Sequence, residues 1–426
     1  METNWKRVVI SDVCDLIVDC VNKTAPVVEG PTPYRMVRTP NIKSGRVSLD
    51  GCRYVVEETF TKWTRRAKVQ KGDVLLTREA PLGEVGYVNT QEQIFLGQRI
   101  MQYRANPELL DSIFLLYSFL GSDLQHQFYM HEGSGSVVSH IRVGDCSKFQ
   151  LQLPPLVEQK RIAHILGTLD DKIELNRKMN ATLEEMAQAL FKSWFVDFDP
   201  VIDNAFRAGN PIPEPFQARA ETRQKALIEN NNTPATHDHL FPNTFTQSED
   251  LGWIPEGWEL ATLSDFLEVK YGKDHKKLEE GQTPVYGSGG LMRKVNASLH
   301  TGESVLIPRK GTLSNIMFKD EEFWTVDTMF YTIPKLPNVA KYSYYHLKTL
   351  DFNEMNVGSA VPSMTTKVLN SLNIVRPSNG ALIHFNDLVT IKFSKKCSNF
   401  EEQQTLTKQR NALLPKLVSG SLTLDS

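Results

Sequence analysis

Between Arg35 and Arg78 the chain carries eleven basic residues (Arg35, Arg38, Lys43, Arg46, Arg53, Lys62, Arg65, Arg66, Lys68, Lys71, Arg78) and four acidic ones (Asp50, Glu57, Glu58, Asp73), a local surplus of seven positive charges. Tyr34, Tyr54, Phe60 and Trp63 are interleaved with them. Cations at this density can neutralise phosphates and release condensed counterions, which makes the segment a candidate DNA surface. A solvated charged face is the alternative. The whole chain has a net charge of −2, so it is not a uniformly basic binder, and local charge decides the matter.

Sequence readout would rest on side chains that match base edges, Arg to guanine and Asn or Gln to adenine. The DNA-binding candidates in the first half are Arg35, Arg38, Arg46, Arg65, Arg66, Lys68 and Arg78, with Arg99, His140 and Arg142 behind them. In the second half they are Lys273, His275, Lys276, Lys277, Arg293, Lys294, Arg309 and Lys310. Phosphate and sugar take at least half of protein–DNA contacts, so most of these are expected to hold the backbone or stay solvated. The runs Gly133-Ser134-Gly135-Ser136 and Gly287-Ser288-Gly289-Gly290 fit loops that approach DNA closely, and equally well plain surface turns.

Residue patterns for catalysis are missing, and no catalytic or metal-binding residue is expected. There is no G-x-x-x-x-G-K-[ST] phosphate loop. The one Pro-Pro pair is flanked by Leu153 and Leu156, not by the Asp/Asn and aromatic residue that an adenine methyltransferase uses to hold a flipped base. Asp170-Asp171-Lys172 reads as outward charge on a helix, and the ten histidines form no H-E-x-x-H spacing. The five cysteines (Cys14, Cys20, Cys52, Cys146, Cys397) are odd in number and unpaired in spacing, as expected of isolated thiols in a reducing compartment. The longest apolar runs, such as Ile113 to Leu120, fall short of the ~20 residues of a membrane span. The N-terminus lacks the order of a signal peptide, so a cytoplasmic location is expected.

The elements that would position these side chains recur. Trp5-Lys6-Arg7-Val8-Val9-Ile10-Ser11-Asp12 matches Trp258-Glu259-Leu260-Ala261-Thr262-Leu263-Ser264-Asp265 at its Trp, hydrophobic and Ser-Asp positions. Lys71-Gly72-Asp73-Val74-Leu75-Leu76-Thr77-Arg78 resembles Thr301-Gly302-Glu303-Ser304-Val305-Leu306-Ile307-Pro308-Arg309, each a turn at Gly, an apolar β-rich run and a closing Arg. Gly135-Ser136-Val137-Val138 resembles Gly358-Ser359-Ala360-Val361, and the copies then run without a gap to Pro154 and Pro377. The interiors between these matches differ. Shared framework with divergent contacts is what a duplicated reader requires.

Helical sequence follows each copy. Ile162, Leu166, Leu169, Ile173, Asn176, Asn180, Leu183, Ala187 and Leu190 form a heptad seam interrupted by two Asn, as in a coiled coil whose buried polar pair fixes register. An amphipathic helix packed on a globular domain is the alternative reading. Leu382 to Leu414 also reads as helix, with Leu406 and Leu413 on its apolar side and Pro415 and Gly420 expected to close it. Lys392, Lys395 and Asn399 spoil its heptads. We therefore expect an α+β chain. Residues 1–153 and 251–377 form two mixed β-rich recognition domains, and 154–202 and 378–426 are long helices that pair as an antiparallel coiled coil. Residues 203–250, rich in Pro, form a linker or peripheral insertion. About 30 helical residues would span roughly 45 Å, or about a dozen base pairs of B-DNA.

Leu153-Pro154-Pro155-Leu156-Val157-Glu158-Gln159 resembles the L-P-P-L-x-E-Q motif that opens the conserved helices of type I restriction–modification specificity (S) subunits. Leu166 to Asn176, Ala189 to Pro200 and Leu414-Pro415-Lys416-Leu417-Val418-Ser419-Gly420 are similar to the same family. The second helix departs from it, with Pro377-Ser378-Asn379 where the first has Pro-Pro and Glu-Gln. The resemblance implies two target-recognition domains, each reading half of a split site on double-stranded DNA. It implies helices that act as a ruler and dock two modification (M) subunits, which restriction (R) subunits then join. Adenine methylation with S-adenosylmethionine and cleavage with ATP and Mg would belong to those partners, with no cofactor in this chain. A stand-alone methyltransferase or nuclease and a coiled-coil scaffold without a DNA role are the rival readings.

Overall fold

Ile10 N–H donates to Phe149 O at 2.7 Å, and Leu263 N–H donates to Leu372 O at 2.8 Å. These bonds occupy the same place in two copies of one fold, at the framework residues that repeat in the sequence. The computed structural model describes residues 5–130, 140–229, 235, 237–352 and 363–422. The chain divides into two compact units, Met1–Arg177 with Phe400–Ser426, and Lys178–Asn399.

In the first unit β1 (Lys6–Val9) pairs with β11 (Gln150–Leu153). A six-stranded sheet has β2 (Cys14–Asp19), β10 (Ile100–Ala105), β7 (Val74–Arg78), β8 (Leu82–Tyr87), β5 (Gly45–Val47) and β4 (Ile42–Lys43) in that order. A second sheet orders β6 (Arg53–Val55), β3 (Tyr34–Val37) and β9 (Gln93–Leu96). The helices are α1 (Glu57–Trp63), α2 (Ser112–Leu120) and α3 (Ser122–Met130), with the first part of α4 (Leu156–Phe195). The Asp111 carboxylate caps α2 by accepting from Ile113 and Phe114 N–H. Val74 and Leu76 of β7 lie in one core with Phe114, Phe119, Phe128 and Phe149. Ile162 and Leu166 of α4, and Leu417, complete that core, so the long helices are structural members of the unit.

The second unit contains part of α4, α5 (Asp199–Ala208) and α6 (Gln217–Glu229), then the hairpin β12 (Phe245–Ser248) and β13 (Gly252–Pro255). β14 (Glu259–Thr262) leads through α7 (Leu263–Phe266) and pairs with β21 (Asn373–Arg376). The main sheet runs β15 (Leu267–Tyr271), β20 (Met329–Pro334), β18 (His300–Pro308), β19 (Met317–Thr325), β16 (Glu280–Gly287) and β17 (Gly290–Val295). α8 (Val339–Lys348) and α9 (Thr366–Asn370) precede β21, and α10 (Asn379–Val418) follows it. The order β2-β10-β7-β8 is thus repeated as β15-β20-β18-β19. Gly97 N–H donates to Val37 O as Val326 N–H does to Tyr286 O, so β16 takes the place of β3. The short hairpin β4–β5 has no counterpart among the described strands of the second unit.

α4 and α10 run antiparallel within each unit. In the first, Asp170 meets Arg410 and Asn176 meets Glu402; in the second, Asn180 meets Asn399 and Glu184 meets Lys396. One feature differs from the sequence-based expectation and another gains detail. Pro415 does not close α10 but lies inside its last turns, with Ser419 N–H bonded to Pro415 O; Gly420, at φ +73°, provides the stop. The segment 203–250, expected to be a linker or a peripheral insertion, carries most of a helical hairpin. Asp199 and Asp203 of α5 each accept two hydrogen bonds from Arg219 and Arg223 of α6, respectively, which closes a helical hairpin. Both acids and both arginines recur at i, i+4, so each pair shares one helix face.

Candidate nucleic-acid interface

The basic segment of the first unit is folded as a lobe with its own apolar support. Met36, Val55, Phe60 and Phe95 form a small core, with Tyr34 and Trp63 packed on it. The indole of Trp63 donates to Lys23 O at 3.2 Å, tying α1 to the strap after β2. On this support Arg53, Lys62 and Arg65 are exposed, as are Lys43 at the edge of the six-stranded sheet and Lys68 and Lys71 in the loop before β7. One of the four acids in the segment is withdrawn from the surface: Asp73 is buried and paired with Arg104 at 2.8 Å. With Arg35, Arg38 and Arg78 also half-buried, the exposed residues of the segment still carry more bases than acids.

Other candidates in this segment are engaged. Arg35 pairs with Glu92 at 3.0 Å and lies over the Tyr54 ring, while Arg38 donates to Gly51 O at 3.1 Å. Burial pushes the Cys52 thiol up, and the Arg35 and Arg38 guanidiniums oppose that push, which places both near one point. Arg66 pairs with Asp19 and donates to Cys20 O. Arg46 donates to Asp170 O of α4 at 2.6 Å and lies 3.8 Å from Glu174.

Arg78, Arg99, His140 and Arg142 are gathered at one end of the central strands. Arg78 N–H donates to Arg99 O at 2.8 Å, Ile141 N–H donates to Arg78 O at 3.0 Å, and the Arg78 guanidinium returns to Ile141 O at 2.8 Å. Arg99 pairs with Glu79 at 3.4 Å, His140 is partnered, and Arg142 is exposed. Arg309 holds the matching place in the second unit. Its N–H donates to Thr328 O at 2.8 Å, and Met364 N–H donates to Arg309 O at 2.9 Å. Its guanidinium lies 5.3 Å from the centre of the exposed Tyr271 ring, beside exposed Lys310. The Gly133–Ser136 run and the Gly135–Val138 and Gly358–Val361 repeats lie outside the described residues.

In the second unit the loop after β15 carries Lys273, Lys276 and Lys277 on the surface. Trp324 Nε1 donates to Lys273 O at 2.9 Å, and Arg293 donates to His275 O at 3.0 Å and Leu278 O at 2.5 Å. Arg293 therefore braces this loop, and His275 is half-buried, while Lys294 is exposed. The Gly287–Gly290 run makes the β16–β17 turn, with Gly290 at φ +107° and Asn315 donating to Ser288 O at 2.7 Å. Leu291, just past the turn, is 61% exposed among these cations. It was not legible as a surface residue, because β17 has no clear alternation of polar and apolar positions.

Of the seam residues, Ile162, Leu166, Asn176 and Ala187 are buried, and Leu169, Ile173, Asn180, Leu183, Leu190, Leu406 and Leu413 are half-buried. Burial pushes the Cys14 thiol up to about 12 and Cys146 up to about 11, which leaves both protonated and unreactive near neutrality. Among the described residues no three His, Cys, Asp or Glu side chains cluster as a metal site, and no helix is long and apolar enough to cross a membrane.

Residues 2–185 and 255–414 match the model of the type I restriction modification DNA specificity domain, which takes in both copies and most of both long helices. The chain belongs to this family. The HindI type I restriction enzyme specificity subunit of Haemophilus influenzae is 25% identical over 405 residues, covering 83% of this chain and 87% of that one. The MjaIX specificity subunit of Methanocaldococcus jannaschii is 24% identical over 358 residues, covering 83% and 78%. The crystal structure of a type I restriction–modification S subunit from M. genitalium shares the fold, with a TM-score of 0.58 at 17% identity over 99% of this chain and 97% of that one. In this specificity-domain protein the family motif at Gln159 has a structural meaning. The buried Gln159 amide accepts from Asp111 N–H at 2.8 Å and donates to Leu109 O and Pro154 O at 2.9 Å each. It thus joins the start of α2 to the start of α4.

Proposed function

We propose that this type I specificity subunit reads a split DNA site. Each β-rich domain contacts one half, α4 and α10 set the interval between the halves, and the helices dock two modification subunits that restriction subunits then join. The observation that carries this reading is the paired framework with unlike surfaces. Arg78 and Arg309 hold the same place through the same backbone bonds, yet the exposed cations around them differ in number, type and supporting element. Exposed Arg65, Lys68, Lys273 and Lys310 are assigned to phosphates, and Arg142 to a base edge or phosphate at the strand ends. Catalysis, S-adenosylmethionine, ATP and Mg are assigned to the partner subunits.

The test is long-read methylation mapping after co-expression of this chain with its modification subunit. Methylated adenines in both halves of one gapped motif are expected, and only when this chain is present. An unsplit motif, or methylation that persists without the chain, would refute the reading. Binding of S-adenosylmethionine by the isolated chain would instead favour an enzyme.

A further inference from the structure

Asp170 and Glu184, both on α4, do the same job in the two units. In the first unit Asp170 accepts from Tyr117 Oη of α2 at 2.8 Å and from Arg410 Nη1 of α10 at 2.8 Å. In the second, Glu184 accepts from Lys396 Nζ of α10 at 2.5 Å, and from Lys348 Nζ at 2.6 Å and Tyr344 Oη at 3.3 Å, both of α8. α2 and α8 are the corresponding helices of the two domains, each following the strand second in its sheet. Each carboxylate thus gathers a domain helix and α10 onto α4. Their side chains are only 17% and 20% exposed, where screening by water and salt is reduced. Burial alone would raise the pKa of Glu184, but hydrogen bonds from the two lysines hold it below the usual carboxylate value.

The spacing makes these contacts a register device. Fourteen residues separate Asp170 from Glu184, and fourteen separate Lys396 from Arg410, which is two heptads on each helix. An apolar seam tolerates a shift by whole heptads. A carboxylate displaced from its cation and tyrosine would remain half-buried without partners, which is strongly unfavourable. Arg46, from β5 of the first domain's six-stranded sheet, bonds the carbonyl oxygen of Asp170 at 2.6 Å, so that sheet is tied to the same helical turn.

We propose that Asp170 and Glu184 are positioning residues for gap length: by locking each reading domain and α10 to one register on α4, they restrict the enzyme to a single interval between half-sites. This inference rests on the reading proposed above. It is tested with the complete complex carrying Asp170→Asn or Glu184→Gln, which keep side-chain shape, singly and together. The substrates are the mapped half-sites at their native interval and at intervals one to four base pairs shorter or longer, since a one-heptad slip of about 10 Å corresponds to about three base pairs. Methylation of native over altered intervals is expected to fall roughly tenfold in preference, with the native site still modified. An unchanged preference would overturn the proposal, as would an equal decline at every interval, since a role in folding alone lowers all sites together. A wild-type complex that modifies no gapped motif would overturn the reading itself, and this inference with it.

Discussion

The Asn399 side-chain amide donates to Asn180 Oδ1 at 2.8 Å, and Asn180 Nδ2 donates to Lys396 O at 3.2 Å. Asn399 is buried and Asn180 half-buried, between α4 and α10 of the second unit. Replacing Asn399 by Leu leaves Asn180 Oδ1 without its donor while Asn180 Nδ2 keeps Lys396 O, and a buried unpaired polar group costs about 1–3 kcal/mol. Asn399→Leu is therefore expected to lower the urea-unfolding midpoint. The double replacement by Leu is expected to recover most of that loss while admitting other helix pairings, seen as added oligomers in sedimentation. A double variant as unstable as the single one would show that the amide pair is not what holds this place.

The candidate cations divide into reaching and bracing groups, and the two should fail differently. Arg65→Ala with Lys68→Ala removes two exposed charges. If each meets a phosphate, the slope of log affinity against log salt for the complete complex falls by roughly 0.9 per contact. Arg78→Ala instead removes the bond to Ile141 O, so about 1 kcal/mol of stability should go. Titration of complex into duplex at several salt concentrations, beside thermal unfolding, separates the two. An unchanged slope in the Arg65, Lys68 variant would move the DNA surface elsewhere.

That division marks the limit of what the sequence made legible. The repeat was readable because Ile10 and Leu263, or Arg78 and Arg309, answer to backbone geometry that both copies share. The seam was readable because Ile162 to Leu190 keeps a period over several turns. Arg66, Arg46 and Arg293 could not be told from Arg65, because their partners (Asp19, Asp170 O, His275 O) are distant in sequence or are backbone atoms without a residue signature. The α5–α6 hairpin did leave a signal in its i, i+4 acids and arginines, but the surrounding prolines outweighed it. Pro415 misled for a different reason. Near a helix end a missing N–H removes one bond only, and the preceding turns of α10 carry on through it.

Gln159 shows what the unlike starts of the two helices do to the fold. Position 382, its counterpart by the gap-free match of the two copies, is a buried Leu, and there Ser378 Oγ instead accepts from Ala381 N–H. Gln159→Ala would strand Asp111 N–H, Leu109 O and Pro154 O in a buried site. A loss of about 2–4 kcal/mol is expected, whereas Glu158→Ala, at a half-buried position, should cost less than about 1 kcal/mol. Equal effects in chemical unfolding would mean that the motif is held for a partner and not for the fold.

His346 makes the second unit sensitive to acid. Burial pushes its pKa down to about 4, against a weaker opposing backbone hydrogen bond with Asn373, and its Nε2 is buried without a partner among the described residues. The unfolded chain takes up this proton near pH 6.5, while the folded protein resists it until about pH 4. The unfolded state therefore binds more protons across that window, and stability falls as pH drops from 6.5 to 4. The full effect is up to about 3 kcal/mol, at 1.36 kcal/mol per pKa unit. His346→Leu removes the titration and should flatten this part of the profile. Unfolding midpoints measured from pH 7 to pH 4 are expected to converge for the two proteins at the acid end if wild type is the more stable at neutrality. Parallel profiles would show that the imidazole is protonated in the fold, and that other groups govern its acid limit.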